Sequence, residues 1–177
     1  MKVQPTFITS VADESKFYKT DKPIVAIAGK SNVGKSSLIN MLSGNNKLAK
    51  TSTTPGRTRL INYFDFNDFV LADLPGYGFA KVSKEEKEKW GKLLESFLLN
   101  EKISLLVLLV DIRHDPTGDD KMMVDYLYHY NIPFIIVATK ADKIAKTKIK
   151  NSLQNIATHL CVGINDITAT SSELGLG

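Results

Sequence analysis

The sequence predicts a three-layer α/β fold, with a mostly parallel six-stranded sheet between helices and one antiparallel edge strand. Three observations carry that expectation. Apolar runs of strand length, rich in β-branched residues, alternate with segments of helical spacing, the pattern of a parallel sheet covered on both faces. A glycine-rich turn, Gly29-x4-Gly34-Lys35-Ser36, joins the first such run to the first such helix. Polar clusters follow the later runs, and open sheets of this kind bind ligands outside the carboxyl ends of their strands.

The chain has 177 residues, enough for one domain, read here as spanning 1–177 with residues 1–22 as an N-terminal arm. Hydrophobic residues make up 43% and charged residues 24%, which excludes a disordered chain. Lys plus Arg number 23 against 19 Asp plus Glu, a net charge of +4 that permits a polyanionic partner without requiring one. The single cysteine, Cys161, has no partner for a disulfide or a metal site and reads as a structural thiol in a reducing compartment. No run is long enough to span a membrane and the N-terminus lacks an apolar signal core, so a cytoplasmic protein is expected.

Taken in order, residues 1–22 offer only weak apolar pairs, Phe7-Ile8 and Phe17-Tyr18, consistent with a short edge strand or packed arm. Ile24 to Ala28 is a buried strand. Leu38, Ile39, Met41 and Leu42 then follow at helical spacing until Gly44-Asn45-Asn46 ends the helix. Residues 47–59 are rich in Thr, contain Pro55-Gly56 and have no apolar period, so they read as a mobile loop. Strands at Leu60–Phe66 and Phe69–Ala72 form a hairpin across Asn67-Asp68. Ser83 and Glu86 make a capping box for a helix running to about Leu99. Leu105–Val110 is a central strand, 119–130 a helix, Pro133–Ala138 another buried strand, 146–160 a basic helix and Ile167–Thr170 a last short strand. Loops 47–60 and 74–84 are expected to order only around a γ-phosphate.

The chemistry gathers at four places. In the first, strand, Gly29, Lys30, Ser31, Asn32, Val33, Gly34, Lys35, Ser36, Ser37 and helix form a phosphate-binding loop. The glycines permit a tight turn and close backbone approach, and the amides form a nest at a helix N-terminus. Lys35, expected in a solvent-facing loop, can reach β- and γ-phosphates, and Ser36 can hold Mg2+. The second is Asp73-Leu74-Pro75-Gly76 after a strand, where the Asp would hold Mg2+ through a water and the Gly76 amide would meet the γ-phosphate. The third is Thr139-Lys140-Ala141-Asp142. A carboxylate there can accept both the N1–H and the amine of guanine, a donor pair that adenine lacks. Lys140 would lay its stem along the base, and Ser171-Ser172 would add an amide to O6. The fourth is the 47–59 loop, which should supply a threonine to the Mg2+ shell. Thr53, Thr54 and Thr58 compete, with Thr58 preferred because it directly precedes the strand and Thr54 second.

These motifs together resemble the EngB (YihA/YsxC-type) bacterial GTPases, small Ras-like P-loop NTPases related to Era and Der. The segments that carry the resemblance are Gly29 to Ser37, Thr54-Pro-Gly-Arg-Thr-Arg59, Asp73-Leu-Pro-Gly-Tyr-Gly-Phe-Ala80, Asp111-Ile-Arg-His-Asp-Pro116 and Thr139 to Asp142. The resemblance implies GTP and GDP as ligands, Mg2+ at Ser36, Thr58 and Asp73, and nucleotide contacts from Gly56, Arg57, Thr58, Arg59 and Leu60, as well as from the 170–172 loop that begins at Thr170. It settles Thr58 over Thr54. It further implies a monomer linked to large ribosomal subunit and rRNA assembly and to septation. Two departures stand out. Thr139 replaces the usual Asn of the guanine motif, though a hydroxyl can still bond back to the phosphate loop. The chain also stops at Gly177, where relatives continue into a last helix.

Lys35, Thr58 and Gly76 are the expected catalytic residues, but Tyr77 stands where other GTPases place a water-orienting Gln. Slow unassisted hydrolysis is therefore expected, sped by a partner or by a cation such as K+ near Asn32. Arg57, Arg59 and Arg113 are candidate charge stabilisers. Lysines at 81, 84, 87, 89 and 92 and at 140, 143, 146, 148 and 150 form two groups that could face rRNA. A small kinase would need an Arg-rich lid and an acceptor site that the sequence does not display. A binding module with little hydrolysis remains the other reading.

Overall fold

A computed structural model of the chain describes residues 4–49, 60–78 and 84–177. Among them one sheet has seven strands in the order β1-β3-β4-β2-β5-β6-β7. The strands are β1 (Thr6–Val11), β2 (Ile24–Gly29), β3 (Ile61–Asp65), β4 (Val70–Asp73), β5 (Ile103–Asp111), β6 (Phe134–Thr139) and β7 (Ile167–Ala169). The helices are α1 (Lys35–Ser43), α2 (Lys84–Asn100), α3 (Gly118–His129) and α4 (Lys146–Leu160). The predicted alternation, P-loop context and hairpin are all present.

The sheet has seven strands rather than six because Thr6–Val11, expected as an edge strand or an arm, pairs with β3. β3 runs against both its neighbours, so the antiparallel strand lies one place in from the edge. A bulge between Phe7 and Thr9 breaks the alternation of β1. That irregularity is the reason its sequence pattern is weak.

Two apolar layers cover the sheet. On one face Leu94, Phe97 and Leu98 of α2, Met123, Val124 and Leu127 of α3, and Ile156, Ala157 and Leu160 of α4 pack on Ala26, Ala28, Leu106, Leu108 and Val110. On the other, Leu38 and Ile39 of α1 meet Ile27, Phe64, Leu71, Leu109 and Val137. Gly44, in the left-handed region at φ 63°, ends α1 as the sequence indicates. Buried Asn40 holds the chain just beyond: its Nδ2 donates to Asn46 O and Ala49 O, and its Oδ1 accepts from Ala49 N. Ser83, the expected cap of α2, lies outside the described residues. Cys161 is exposed at the left-handed end of α4 and is not part of the core. Among the described residues no helix is long and apolar enough to cross a membrane.

Candidate functional site

Four segments meet where β2, β4, β6 and β7 end. The first is the turn after β2. At Gly29 a Cβ would lie 2.8 Å from Leu109 O and 2.9 Å from Val33 Cγ1, so the turn is packed against β5 with no space for a side chain. Asn32 (φ 61°) and Gly34 (φ 114°) are both left-handed and curl the loop before α1 begins. The cap of α1 is Gly34, which makes no side-chain cap hydrogen bond, and the amides of a helix N-terminus favour an anion.

The second segment follows β4 and lies along the first. Leu74 N donates to Ile27 O (2.9 Å), Tyr77 N to Gly29 O (3.3 Å) and Ser31 N to Tyr77 O (2.9 Å). Gly76 is thereby pressed against the loop: a Cβ there would be 3.0 Å from Ser31 Cα and 3.1 Å from Lys35 Nζ. Leu74 and Pro75 are buried beside it.

Asp73 closes β4 at 6% exposure, and its Oδ1 has no hydrogen-bond partner among the described residues. Burial pushes this carboxyl up to about 6, against the pull of the Lys35 ammonium. Burial likewise lowers the pKa of Lys35, which Asp73 partly offsets. Lys35 is therefore not the solvent-facing lysine the sequence suggested. It opens α1 half-buried, with Gly76 packed near its Nζ. A buried carboxylate oxygen at the end of β4, unpartnered among the described residues, suits a hydrated divalent cation. Magnesium takes one or two carboxylates plus substrate phosphates and does not need a protein cage. The third expected ligand, Thr58, lies outside the described residues, as do Gly56, Arg57, Arg59 and the rivals Thr53 and Thr54. Leu60 is half-buried just before β3.

The third segment follows β6. Thr139 is 3% exposed, and its hydroxyl is 2.7 Å from Val33 O and 3.1 Å from Val110 O, sharing one proton between two acceptors. The substitution of Thr for the usual Asn thus keeps a bond to the glycine-rich loop. Lys140, left-handed at φ 62°, donates from Nζ to Asn32 O and to Asp111 Oδ2, both at 2.8 Å. Asp142 lies in the 3₁₀ turn Ala141–Lys143. Its Oδ1 accepts from Ser171 Oγ (2.7 Å) and its Oδ2 pairs with Lys143 Nζ (3.0 Å). Ser171 first, and Lys143 with it, hold this carboxyl below its ordinary pKa.

The fourth segment is tied to the third by backbone. Ala141 N donates to Thr170 O (3.0 Å) and Thr170 N to Ala138 O (2.8 Å). Ser172 follows, half-buried. The structure thus brings the glycine-rich loop, 73–76, 139–142 and 170–172 together around one end of the sheet.

Two features escaped the sequence reading. Tyr77 is 4% exposed, and its hydroxyl donates to Asp120 Oδ1 (2.7 Å). Asp120 Oδ2 in turn accepts from Thr117 N and Oγ1, both at 2.7 Å, at the start of α3. The Tyr77 ring thus faces α3, and burial with the Asp120 charge raises its pKa far above the usual range. The Thr-x-x-Asp spacing of a capping box was the available signal. The other is Asp111, which grips Arg113 through Nε (2.9 Å) and Nη2 (2.7 Å). Arg113 is thereby held by its own strand end. Of the lysines, Lys89, Lys92, Lys146, Lys148 and Lys150 are exposed, whereas Lys140 and Lys143 are paired with acids.

Residues 24–140 match the family described as 50S ribosome-binding GTPase. A relative from Bacillus cereus (strain B4264), described as "Probable GTP-binding protein EngB", is 47% identical over 96% of this chain and 87% of its own length. A crystal structure of a probable GTP-binding protein EngB superposes with a TM-score of 0.71 at 27% identity, covering 86% of this chain and 90% of that one. Era in complex with MgGDPNP and nucleotides 1506–1542 of 16S ribosomal RNA gives 0.68 at 26% identity, over 89% of this chain and 53% of that chain.

Proposed function

The chain belongs to the EngB family of GTP-binding proteins, and we propose that it is a single-domain GTP/GDP switch that hydrolyses GTP slowly when alone. The observation that carries this reading is the tie between the two halves of the site. Thr139 Oγ1 and Lys140 Nζ both bond carbonyls of the glycine-rich loop, which fixes a base-binding turn at a set distance from a phosphate-binding one.

In this reading the amides of residues 30–36 and the Lys35 ammonium hold the β- and γ-phosphates. Ser36, Asp73 and Thr58 would hold Mg2+, which when bound neutralises charge on those phosphates. The Gly76 amide meets the γ-phosphate. Asp142 accepts the guanine N1–H and amine, held in place by Ser171, while the Lys140 stem lies along the base. Gly56, Arg57, Arg59 and Leu60 complete the nucleotide contacts, and Thr170 and Ser172 close the pocket near O6. Tyr77 is committed to α3, so it does not orient the attacking water, and K+ near Asn32 or a partner would supply the missing acceleration. That same burial favours one second reading, a nucleotide-dependent binding module with little hydrolysis.

The name of the matching family and the exposed lysines of α2 and α4 support the large ribosomal subunit and its rRNA as partner. Assistance to subunit assembly, and through it to normal septation, would follow in the cytoplasm with the chain as a monomer. Phosphate release from GTP, measured with and without large subunits, tests this together with cosedimentation in GDP and in a non-hydrolysable analogue. Slow release that subunits accelerate, with retention favoured by the analogue, is expected. No release under either condition leaves the binding-module reading, and equal cosedimentation in both states removes the switch.

A further inference from the structure

We infer that Asp111 is a positioning residue for the nucleotide base, acting through Lys140. The inference rests on the proposed role of 139–142 as the base-binding turn and adds the group that sets its lysine.

Asp111 ends β5 opposite Thr139 in the parallel register, so its side chain borders the 139–142 turn by construction. Its two oxygens are divided. Oδ1 accepts from Arg113 N (3.1 Å) and Nε (2.9 Å). Oδ2 accepts from Arg113 Nη2 (2.7 Å) and from Lys140 Nζ (2.8 Å). The guanidinium grips both oxygens in a fork, which fixes the plane of the carboxylate and aims Oδ2 at the lysine. Side-chain exposure rises from 16% at Asp111 through 27% at Lys140 to 38% at Arg113, so the acid is the sheltered centre of the cluster. Burial alone would raise its pKa. The Arg113 and Lys140 donors outweigh that and hold it well below the usual carboxylate range, so the charge persists at neutral pH.

Lysine is a flexible four-carbon stem with a strongly hydrated head. Left free it would sample many rotamers, and a base docking on it would lose that freedom. Here both ends are fixed. The backbone end is left-handed and joined to the 170–172 loop through Ala141 N. The ammonium is held from two directions, by Asn32 O and by Asp111 Oδ2. The stem is stretched between them as an apolar wall against which a purine face can lie. Asn32 O by itself is a neutral acceptor on an exposed loop residue. Asp111 supplies the charged contact and with it most of the orientation. Asp111 itself reads no base edge, which separates its role from that of Asp142.

Four proteins test this by GDP titration: wild type, Asp111→Ala, Lys140→Met and the double variant. Methionine keeps a long apolar stem and removes the head. Asp111→Ala is expected to weaken GDP about tenfold, in the range of coupling between contacting residues. In the Lys140→Met background the same change should cost less than twofold, because the group through which it acts is gone. IDP, which lacks the exocyclic amine, should lose the same factor as GDP, since the wall contacts the ring face. Asp111→Asn keeps one oxygen for Arg113 or Lys140 and should fall between; it carries the comparison if the alanine variant melts early without nucleotide. A tenfold loss that persists in the Lys140→Met background, unchanged GDP affinity in a folded Asp111 variant, or a loss confined to GDP each overturns the inference. A wild-type chain that binds no guanine nucleotide overturns the parent reading first, and is seen before any variant is compared.

Discussion

Replacing Tyr77 by Phe removes one hydroxyl from a buried, charge-assisted hydrogen bond and changes little else. The ring is 4% exposed and Asp120 is also 4% exposed, so water cannot replace the lost donor cheaply. Asp120 keeps Thr117 N and Oγ1 on Oδ2 and loses the Tyr77 hydroxyl on Oδ1, 2.7 Å away in the wild type. A hydrogen bond to a charged group contributes about 1.5–3 kcal/mol. For a chain of this length that corresponds to a melting temperature lower by roughly 3–12 °C. The loss should also be local. Tyr77 O accepts from Ser31 N at 2.9 Å, so loosening Tyr77 should speed amide exchange at Ser31. Leu74 N, bonded to Ile27 O at 2.9 Å inside the sheet, should keep its protection. Thermal melts and residue-resolved hydrogen exchange on nucleotide-free protein read both effects. A Tyr77→Phe variant that melts with wild type, or in which Leu74 loosens as much as Ser31, would refute the idea that this hydroxyl anchors the segment lying on the glycine-rich loop.

Other perturbations follow from the same geometry. Gly76→Ala should drive a methyl to within 3.0 Å of Ser31 Cα and 3.1 Å of Lys35 Nζ, costing about 1–3 kcal/mol in urea unfolding and weakening GTP; wild-type stability would show that the segment is not pressed on the loop. Asp73, raised from 3.8 to about 6 in the fold, contributes stability below its unfolded pKa that is lost as pH rises through about 6. In chelator and without nucleotide, unfolding free energy should therefore fall by up to about 3 kcal/mol between pH 4 and 7, and Asp73→Asn should flatten that slope. An unchanged slope in Asp73→Asn would place the titration elsewhere. Lys35→Ala should abolish tight GTP binding in calorimetry and also destabilise the protein near neutral pH, because it leaves the Asp73 charge buried without its ammonium. Unchanged affinity would remove Lys35 from the phosphate site.

The phosphate loop, the hairpin and the 139–142 turn were legible because each rests on a local rule, such as glycines at fixed spacing, a two-residue turn, or a strand ending in polar residues. β1 was only half legible, since a bulge at Phe7–Thr9 erases its alternation. Lys35 was read as solvent-facing but is half-buried, because Gly76, distant in sequence, packs near its Nζ. Tyr77 looked like a gap in the catalytic apparatus. Its actual partner, Asp120, is 43 residues away and is visible only once α3 is packed. The Asp111–Lys140 pair is likewise invisible until β5 and β6 are paired in register.

Guanine selection by Asp142 is the most direct test of the proposed GTP-binding role. The measurement is a pair of titrations, GDP and XDP, on wild type and Asp142→Asn. Wild type should bind GDP and reject XDP. In the variant an amide faces the guanine amine, donor against donor, and GDP affinity should fall by roughly 10⁴, the scale on which a site built for a hydrogen bond rejects a ligand that cannot make it. Xanthine carries a carbonyl there, so XDP affinity should rise. If the folded variant keeps its GDP affinity, or gains nothing for XDP, then the Thr139–Asp142 turn does not read the base and the chain's ligand must be sought elsewhere.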